Sequence, residues 1–429
     1  MVARGTCCIR QLGDGDGGET KSFRRLLANE KVTSERLVEG WADQTAGAAA
    51  GRHVLALQDS SNIKFNTSGE RTRGLGKVGK GRSRGVMLHA MLAIDAQDGS
   101  CLGLVGGAIW TRPGRVEVPH SRRELADKES KRWLDTAHSA RTVLEQATCI
   151  TVIADRESDI YAEWATLPDP KLHLLTRVMH DRALADDSTL YQAGEKLDVV
   201  DTRTIELRTA HKRQPRTARL CLRFGSVPIK RPRRPGLKGL PAAVQLTLVE
   251  VVELDPPDGV EPIHWRLLTT HPVADAAAAW QIIDWYKMRW VIEQLFRVLK
   301  SHGLRIEDSQ LDSAELLIKL IAFATKAATI TIQLLQARDG ADLPAAAAFN
   351  QSQIEALAAI NARYQQRSPR QKNPHPQASM PWASWIIGRL GGWDGYRSSR
   401  PPGPITLKHG LDRFFDIAQG WTLRNVSTP

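Results

Sequence analysis

The sequence predicts a mixed α/β fold, with a mixed sheet that starts on antiparallel strands and continues through crossover helices. Three observations predict it. Short apolar runs of strand length recur between residues 53 and 179, the later ones separated by helical periodicity. From about residue 180 to 270 the texture changes to alternating apolar and polar residues between Pro- and Arg-rich turns. Helical periodicity then resumes and holds to about residue 337.

Taken in order, "SFRRLLANEKVTSERLVEGWADQ" is the only convincing amphipathic stretch of the first 52 residues, which read as helical and loosely packed. "HVLALQDSS" is a buried strand ending in an acid, and "GVMLHAMLAIDAQDG" and "CLGLVGGAIWTR" are two further strands. A helix, "KESKRWLDTAHSARTVLEQA", leads to "CITVIADRESD", a second apolar strand ending in an acid. A short helix ("IYAEWATL") and the strand "KLHLLTRVM" follow, so the order is three strands, helix, strand, helix, strand. "TARLCLRF" and "AVQLTLVEVVEL" mark the β-rich segment, and Asp275 is the expected N-cap of the next helix. After an Ala-rich stretch and a polar linker, the chain closes on "LGGWDGYRSSRPPGPITLKHGLDRFFDIAQGW".

The 59 Lys and Arg against 47 Asp and Glu leave a net charge of +12, which points to a polyanionic partner, nucleic acid before membrane. The five cysteines form no C-x-x-C pair and no zinc spacing, a pattern that fits a reducing cytoplasm. The N-terminus is too polar for a signal peptide. The greasiest run, residues 316–335, carries Lys319 and Lys326 and reads as a buried core helix. A soluble intracellular protein is expected.

"GLGKVGKGRSRG", residues 74–85, contains G-x-G-x-x-G but has Gly81 where a P-loop needs Ser or Thr, and it feeds a strand rather than a helix. It reads as a basic loop (Arg71, Arg73, Lys77, Lys80, Arg82, Arg84) suited to a DNA backbone. Asp59 and Asp155 each end an apolar strand; each alone is an ordinary turn cap. Adjacent strands would bring the two carboxylates together, and such a pair calls for a hard divalent cation between them.

In "WYKMRWVIEQLFRVLKSHG", Tyr286, Arg289, Glu293 and Lys300 are spaced three, four and seven apart. On one helix they occupy an arc of roughly 60°, beside an apolar stripe of Trp285, Met288, Ile292, Leu295, Phe296 and Leu299. Glu293 is either a third carboxylate for the acidic pair or the partner of Arg289 in a surface ion pair.

This set resembles the bacterial DDE transposases of the insertion-sequence family whose third acid lies in Y-x2-R-x3-E-x6-K. The signature is complete in Tyr286, Arg289, Glu293 and Lys300. "LALQDSS" resembles the family's first-acid strand, and "VIADRESDIY" its D-R-E-x-D-I second-acid motif. "HWRLLTTHPV" resembles the stretch leading into the signature helix, and "LGGWDGY…PPGP" the tail of many members.

The resemblance implies an RNase H-like mixed-sheet catalytic core with a β-rich insertion before the third-acid helix, plus helical N- and C-terminal segments. On that reading residues 1–52 are a shortened helical DNA-binding segment and 53–179 the first part of the core. Residues 180–270 are the insertion, 271–340 the second part of the core, and 341–429 a helical dimerisation region. The family's triad carries over to Asp59, Asp155 and Glu293 as ligands of two Mg²⁺ or Mn²⁺ ions. Tyr286, Arg289, Lys300 and Arg177 would contact phosphates. A second basic side chain expected two residues after Arg177 is Met179 here, with His180 or Arg182 as substitutes. Trp265 lies where the family stacks a base flipped out during hairpin formation; a core Trp is the alternative. The basic segments 211–219 and 230–238 read as DNA-backbone contacts or as solvated loops.

The function so implied is cut-and-paste DNA transposition by a homodimer in a synaptic complex. Both strands at the element's terminal inverted repeats are cut through a hairpin, and the ends are joined to target DNA. Only 58 residues precede Asp59. That sets an alternative beside it, an N-terminally truncated copy that binds and inhibits a full-length transposase through its C-terminal region. A stand-alone RNase H-like nuclease would need neither the insertion nor the dimerising tail. The expected setting is a bacterial cytoplasm, at the nucleoid, with no membrane partner.

Overall fold

A computed structural model of the chain describes residues 1–65, 74–79, 81–112, 129–207, 214–234, 236–301, 303–365, 371–396 and 398–426. The elements begin with helices α1 (Ile9–Leu12), α2 (Gly17–Ala28), α3 (Ser34–Glu39) and α4 (Thr45–Ala48). Strands β1 (His53–Phe65), β2 (Gly76–Lys77), β3 (Arg84–Asp95) and β4 (Cys101–Trp110) follow. Next come α5 (Lys131–Val143), β5 (Cys149–Ala154), α6 (Tyr161–Thr166), β6 (Leu172–Arg177) and α7 (Leu190–Lys196). Four strands, β7 (Asp201–Leu207), β8 (Arg216–Lys230), β9 (Ala243–Leu254) and β10 (His264–Thr269), precede α8 (Ala276–Met288) and α9 (Trp290–Lys300). The chain ends on α10 (Ala314–Ala337), α11 (Gln351–Gln365), α12 (Met380–Leu390) and α13 (Pro404–Val426). This is a mixed α/β protein, in which the antiparallel strands β1, β3 and β4 are followed by helix, strand, helix and strand, as the sequence led us to expect.

The chain divides into two compact units. The first comprises residues 1–117, 142–148 and 290–429, the second residues 118–141 and 149–289.

In the first unit β3 pairs antiparallel with both β1 and β4, and β2 adds a two-residue rung at its start. Because β3 has neighbours on both sides and cover on both faces, it is buried from Gly85 to Asp95. The glycine-rich stretch around β2 thus forms part of a hairpin and precedes a strand; Arg71, Arg73 and Lys80 of the expected basic loop lie outside the described residues.

The 24-residue α10 supplies the helical centre of this unit. Ser313 caps it by accepting from Leu316 N, and sixteen of its residues are buried. Its two lysines do not reach water freely. Lys319, 4% exposed, donates to the carbonyls of Leu27 (3.0 Å) and Asn29 (3.2 Å) and to Glu315 (2.9 Å), while Lys326 donates to Trp41 O at 2.7 Å. These bonds satisfy ammonium groups that would otherwise be costly to bury. The N-terminal helices are therefore docked rather than loosely packed. Trp41 is buried and its indole N–H donates to Ala322 O at 3.0 Å. Gly107 makes room for that ring, because a Cβ there would collide with the His89 carbonyl and approach the Trp41 ring to 3.0 Å. Among the described residues, no helix is long and apolar enough to cross a membrane.

In the second unit β5 and β6 are parallel and joined by α6, and the strand order runs β5-β6-β10-β9-β8-β7. From β6 outward every pairing is antiparallel. The alternating segments at 180–270 therefore extend the same sheet from β6. Glu250, 1% exposed, is held there by His264 Nε2 and Arg266 Nε, both at 2.7 Å. Asp275 caps α8 through Ala278 N at 2.8 Å, as its position in the sequence led us to expect.

Candidate active site

The first unit carries Asp59, Glu293 and Lys300. Asp59 lies within β1 opposite Ala90 and its Oδ1 accepts from Ser60 N at 2.7 Å. Side chains alternate along a strand, so Gln58 and Ser60 share the other face. There they bind the fully buried His89, Ser60 Oγ to Nδ1 at 2.9 Å and Gln58 Oε1 to Nε2 at 3.3 Å. This bracket fixes the strand on either side of the acid. Asp59 and Ser61 share the opposite face, and Ser61 Oγ accepts from Lys300 Nζ at 2.7 Å. Lys300 therefore reaches from the end of α9 onto β1, two residues from Asp59.

Glu293 sits in the first turn of α9, where the helix dipole favours a carboxylate. Seven residues separate it from Lys300 on one face, about 10.5 Å along the axis. Burial depresses the Lys300 ammonium below its ordinary value, Lys64 adds to that, and Glu307 opposes it. Glu307 is itself fixed to the strand by Lys64 N at 2.9 Å.

The second unit carries Asp155, Arg177, Tyr286, Arg289 and Trp265. Asp155 ends β5 and caps a single 3-10 turn, its Oδ1 accepting from Glu157 N at 2.8 Å. The turn-capping role foreseen for this Asp is real and fixes the carboxylate at the strand end. Tyr286, 3% exposed, and Arg289, 8% exposed, are buried. Burial raises the phenol above its ordinary value; Arg289 and Arg177 oppose the rise, and Asp155 adds to it. Arg177 is depressed by burial first, then by the Arg156 and Arg289 guanidiniums, with the Tyr286 hydroxyl as a hydrogen-bond partner. Its Nη2 donates to His264 O at 3.3 Å. Trp265 meets Tyr286 edge to face, with centroids 5.5 Å apart at 73°. Arg177 and Arg289 thus lie around the Tyr286 phenol, with Arg156 a charged neighbour of Arg177 and Asp155 of Tyr286, an excess of positive charge suited to a phosphate.

Two expectations change in detail. The signature stretch is divided: α8 ends at Met288 and α9 begins at Trp290, with Arg289 N bonded three residues back to Tyr286 O at 3.1 Å. Tyr286 and Arg289 are also more buried than Trp285 and Met288, which are half-buried, so these two polar residues belong to the packed side of α8. Arg182, one of the two substitutes named for the missing basic contact, has an acidic partner in the fold. It pairs with Asp159, Nε to Oδ1 at 3.0 Å, and lies over Trp164 at 5.2 Å. The same Asp159 accepts from Met179 N (2.7 Å) and His180 N (3.1 Å), leaving the Met179 side chain 51% exposed. Residues 211–213 of the basic insertion segments lie outside the described residues, whereas Arg216 pairs with Glu253 and Lys230 with Asp187.

Several contributors escaped sequence reasoning. Arg156 could have been found, as the R of D-R-E-x-D-I. Ser61, His89 and Glu307 gave no signal, because their roles depend on strand register and on which loop returns to β1. Glu163 was also missed. It is 1% exposed and accepts a short hydrogen bond from Ser158, in the turn that Asp155 caps. Burial, with Asp159 adding to it, pushes its carboxyl up to about 8.

Asp59 and Glu293 in the first unit and Asp155 in the second are each half-buried, and a carboxylate oxygen is a hard donor of the kind that Mg²⁺ or Mn²⁺ takes.

The chain is similar in structure to a piggyBac transposase synaptic complex with hairpin DNA solved by cryo-EM, at 8% sequence identity and a TM-score of 0.37. The match covers 89% of this chain, which spans about 55% of the length of that one. A family model described as "Transposase DDE domain" matches residues 51–325, more than half of the chain, and that span holds all three acids. On that match, this chain belongs to the family of transposase DDE domains.

Proposed function

We propose that the chain is a cut-and-paste DNA transposase of the bacterial insertion-sequence type, cleaving phosphodiesters at the ends of its element and transferring those ends to a target. The observation that carries this reading is the buried Tyr286, which meets Trp265 edge to face and has Arg177, Arg289 and Asp155 as charged neighbours. Asp59, Asp155 and Glu293 would hold two divalent cations. When bound, these supply Lewis-acid stabilisation of the charge that develops on the reacting oxygens.

The remaining work falls to the side chains. Arg289 and Arg177 grip phosphate oxygens as planar forks, and Lys300 does so as a point charge. Tyr286 donates its hydroxyl to a phosphate and is kept protonated by its burial. Trp265 offers a ring to an unstacked base, which a hairpin at the cut end requires. Catalysis on this reading rests on positioning and electrostatics. The C-terminal helices would join two copies in the synaptic complex.

The test incubates the purified chain with Mg²⁺ or Mn²⁺ and labelled DNA carrying the sequences that flank its gene. Cleavage that disappears with Glu293→Gln supports the reading; end binding with no cutting would sink it. Trp265→Ala should impair hairpin formation more than first-strand nicking, and equal loss of both steps would count against the flipped-base role.

A further inference from the structure

Outside the span matched by the family model lies a cavity of about 880 Å³ in the C-terminal helical region, between the end of α10, the start of α12 and the loop after it. Its aromatic lining is Trp385, Trp393 and Tyr396, and its cationic lining Arg338 and Lys372. We propose that this cavity binds a nucleotide of single-stranded DNA, with the base on the Trp393–Tyr396 side and the phosphate on Lys372 and Arg338.

The aromatic groups differ in availability. Trp385, 4% exposed, forms the floor and meets Trp393 edge to face, centroids 6.4 Å apart at 80°. Trp393 is half-buried and held by its indole N–H donating to Arg400 O at 3.1 Å. Tyr396 is 38% exposed, so its ring is open to a partner. The turn that presents it depends on Gly395, at φ +79°, where any side chain would press into the Arg389 guanidinium at 2.8 Å. The exposed Asp394 accepts from Ser399 Oγ (2.6 Å) and Tyr396 N (3.0 Å), bonds that hold its carboxyl below the usual range.

The cations stand beside these rings. Gln371 Nε2 donates to the Tyr396 hydroxyl at 3.0 Å, which puts the exposed Lys372 one residue from the ring. Arg338 is anchored by Pro402 O at 3.2 Å and Asp339 at 3.4 Å, with a third of its side chain exposed. A flat ring with an adjacent cation is the chemistry that takes a base and its phosphate together. A duplex, whose bases are already stacked, offers no face to such a ring. The assignment to DNA rather than to a free nucleotide rests on the transposase reading.

The experiment titrates the full chain into a fluorescein-labelled single-stranded dT12 and, separately, a labelled duplex of the same length, reading anisotropy. Tyr396→Ala should weaken dT12 binding about tenfold while Tyr396→Phe retains it, because stacking needs the ring and not the hydroxyl. Lys372→Gln should reduce the salt dependence of dT12 binding by about 0.7 in log–log slope. Duplex binding should be unchanged in all three variants. Wild-type dT12 affinity in both Tyr396→Ala and Lys372→Gln overturns the proposal, as does equal loss on dT12 and duplex. Displacement of dT12 by dTMP at equal concentration of nucleotide would support the cavity but assign it to free nucleotides. Failure of the transposase reading would register separately, as absent metal-dependent cleavage of the duplex.

Discussion

The two units handle charge in opposite ways around their candidate residues. In the first, the half-buried carboxylates Asp59 and Glu293 are accompanied by Lys300, which is tied to Ser61 and has Glu307 and Lys64 as charged neighbours. In the second, the buried phenol of Tyr286 has Arg177, Arg289 and Asp155 as charged neighbours, and Arg177 also has Arg156. Arg177 is depressed chiefly by its burial and further by the Arg156 and Arg289 guanidiniums. Carboxylates suited to a cation and guanidiniums suited to a phosphate are thus concentrated in different units.

The most severe break in this contrast is removal of an acid. Asp59→Asn, Asp155→Asn or Glu293→Gln should each slow metal-dependent cleavage by on the order of 10³-fold, with thermal melting little changed; residual activity near wild type would remove that residue from the metal site. The arginine-rich side is tested next by Arg289→Lys, which keeps the charge but loses the planar fork. A fall of about 100-fold in cleavage is expected, and an unimpaired lysine variant would show that charge alone suffices.

Glu163 sharpens the contrast through stability. Below about pH 4.5, its ordinary value, the carboxyl is neutral whether folded or unfolded. As pH rises from there to about 8, the unfolded chain ionises while the folded one holds its proton, so stability is lost across that window and levels off above it. Glu163→Gln keeps an acceptor for Ser158 and removes this slope. It should be more stable than wild type at pH 8 by on the order of a few kcal/mol, read by denaturant melts at pH 5 and pH 8. Parallel pH profiles for the two proteins would refute the buried, protonated carboxyl.

The smallest effect belongs to Lys300. Lys300→Gln should lower DNA affinity several-fold and reduce the log–log salt slope by about one. An unchanged slope would leave Lys300 as a structural donor to Ser61 only.

Much of this was legible in the chain itself, and what was not shares a cause. Strand-length apolar runs located β1 and β5 and put an acid within or at the end of each. Asp275 announced the start of α8, and the seven-residue interval put Glu293 and Lys300 on one face of α9. The same periodicity placed Tyr286 and Arg289 along the edge of a buried face, whereas both are packed inside it. It also drew one helix where Arg289 separates two. Arg182 looked available because its charge is visible in the sequence and its partner, Asp159, is 23 residues away. The N-terminal helices looked loose because Trp41 finds its acceptor, Ala322, 281 residues later.

By itself the sequence determined the type and order of the elements, the residues at their ends, and a motif specific enough to suggest the family. These depend on local sterics and on periodicity along one element. The tertiary structure alone decided that His89 braces the strand of Asp59, that Ser61 receives Lys300, that Arg177 and Arg289 gather on the buried Tyr286, and that Glu163 keeps its proton. Each of these depends on desolvation and on distances between residues far apart in the chain, and periodicity carries no information about either.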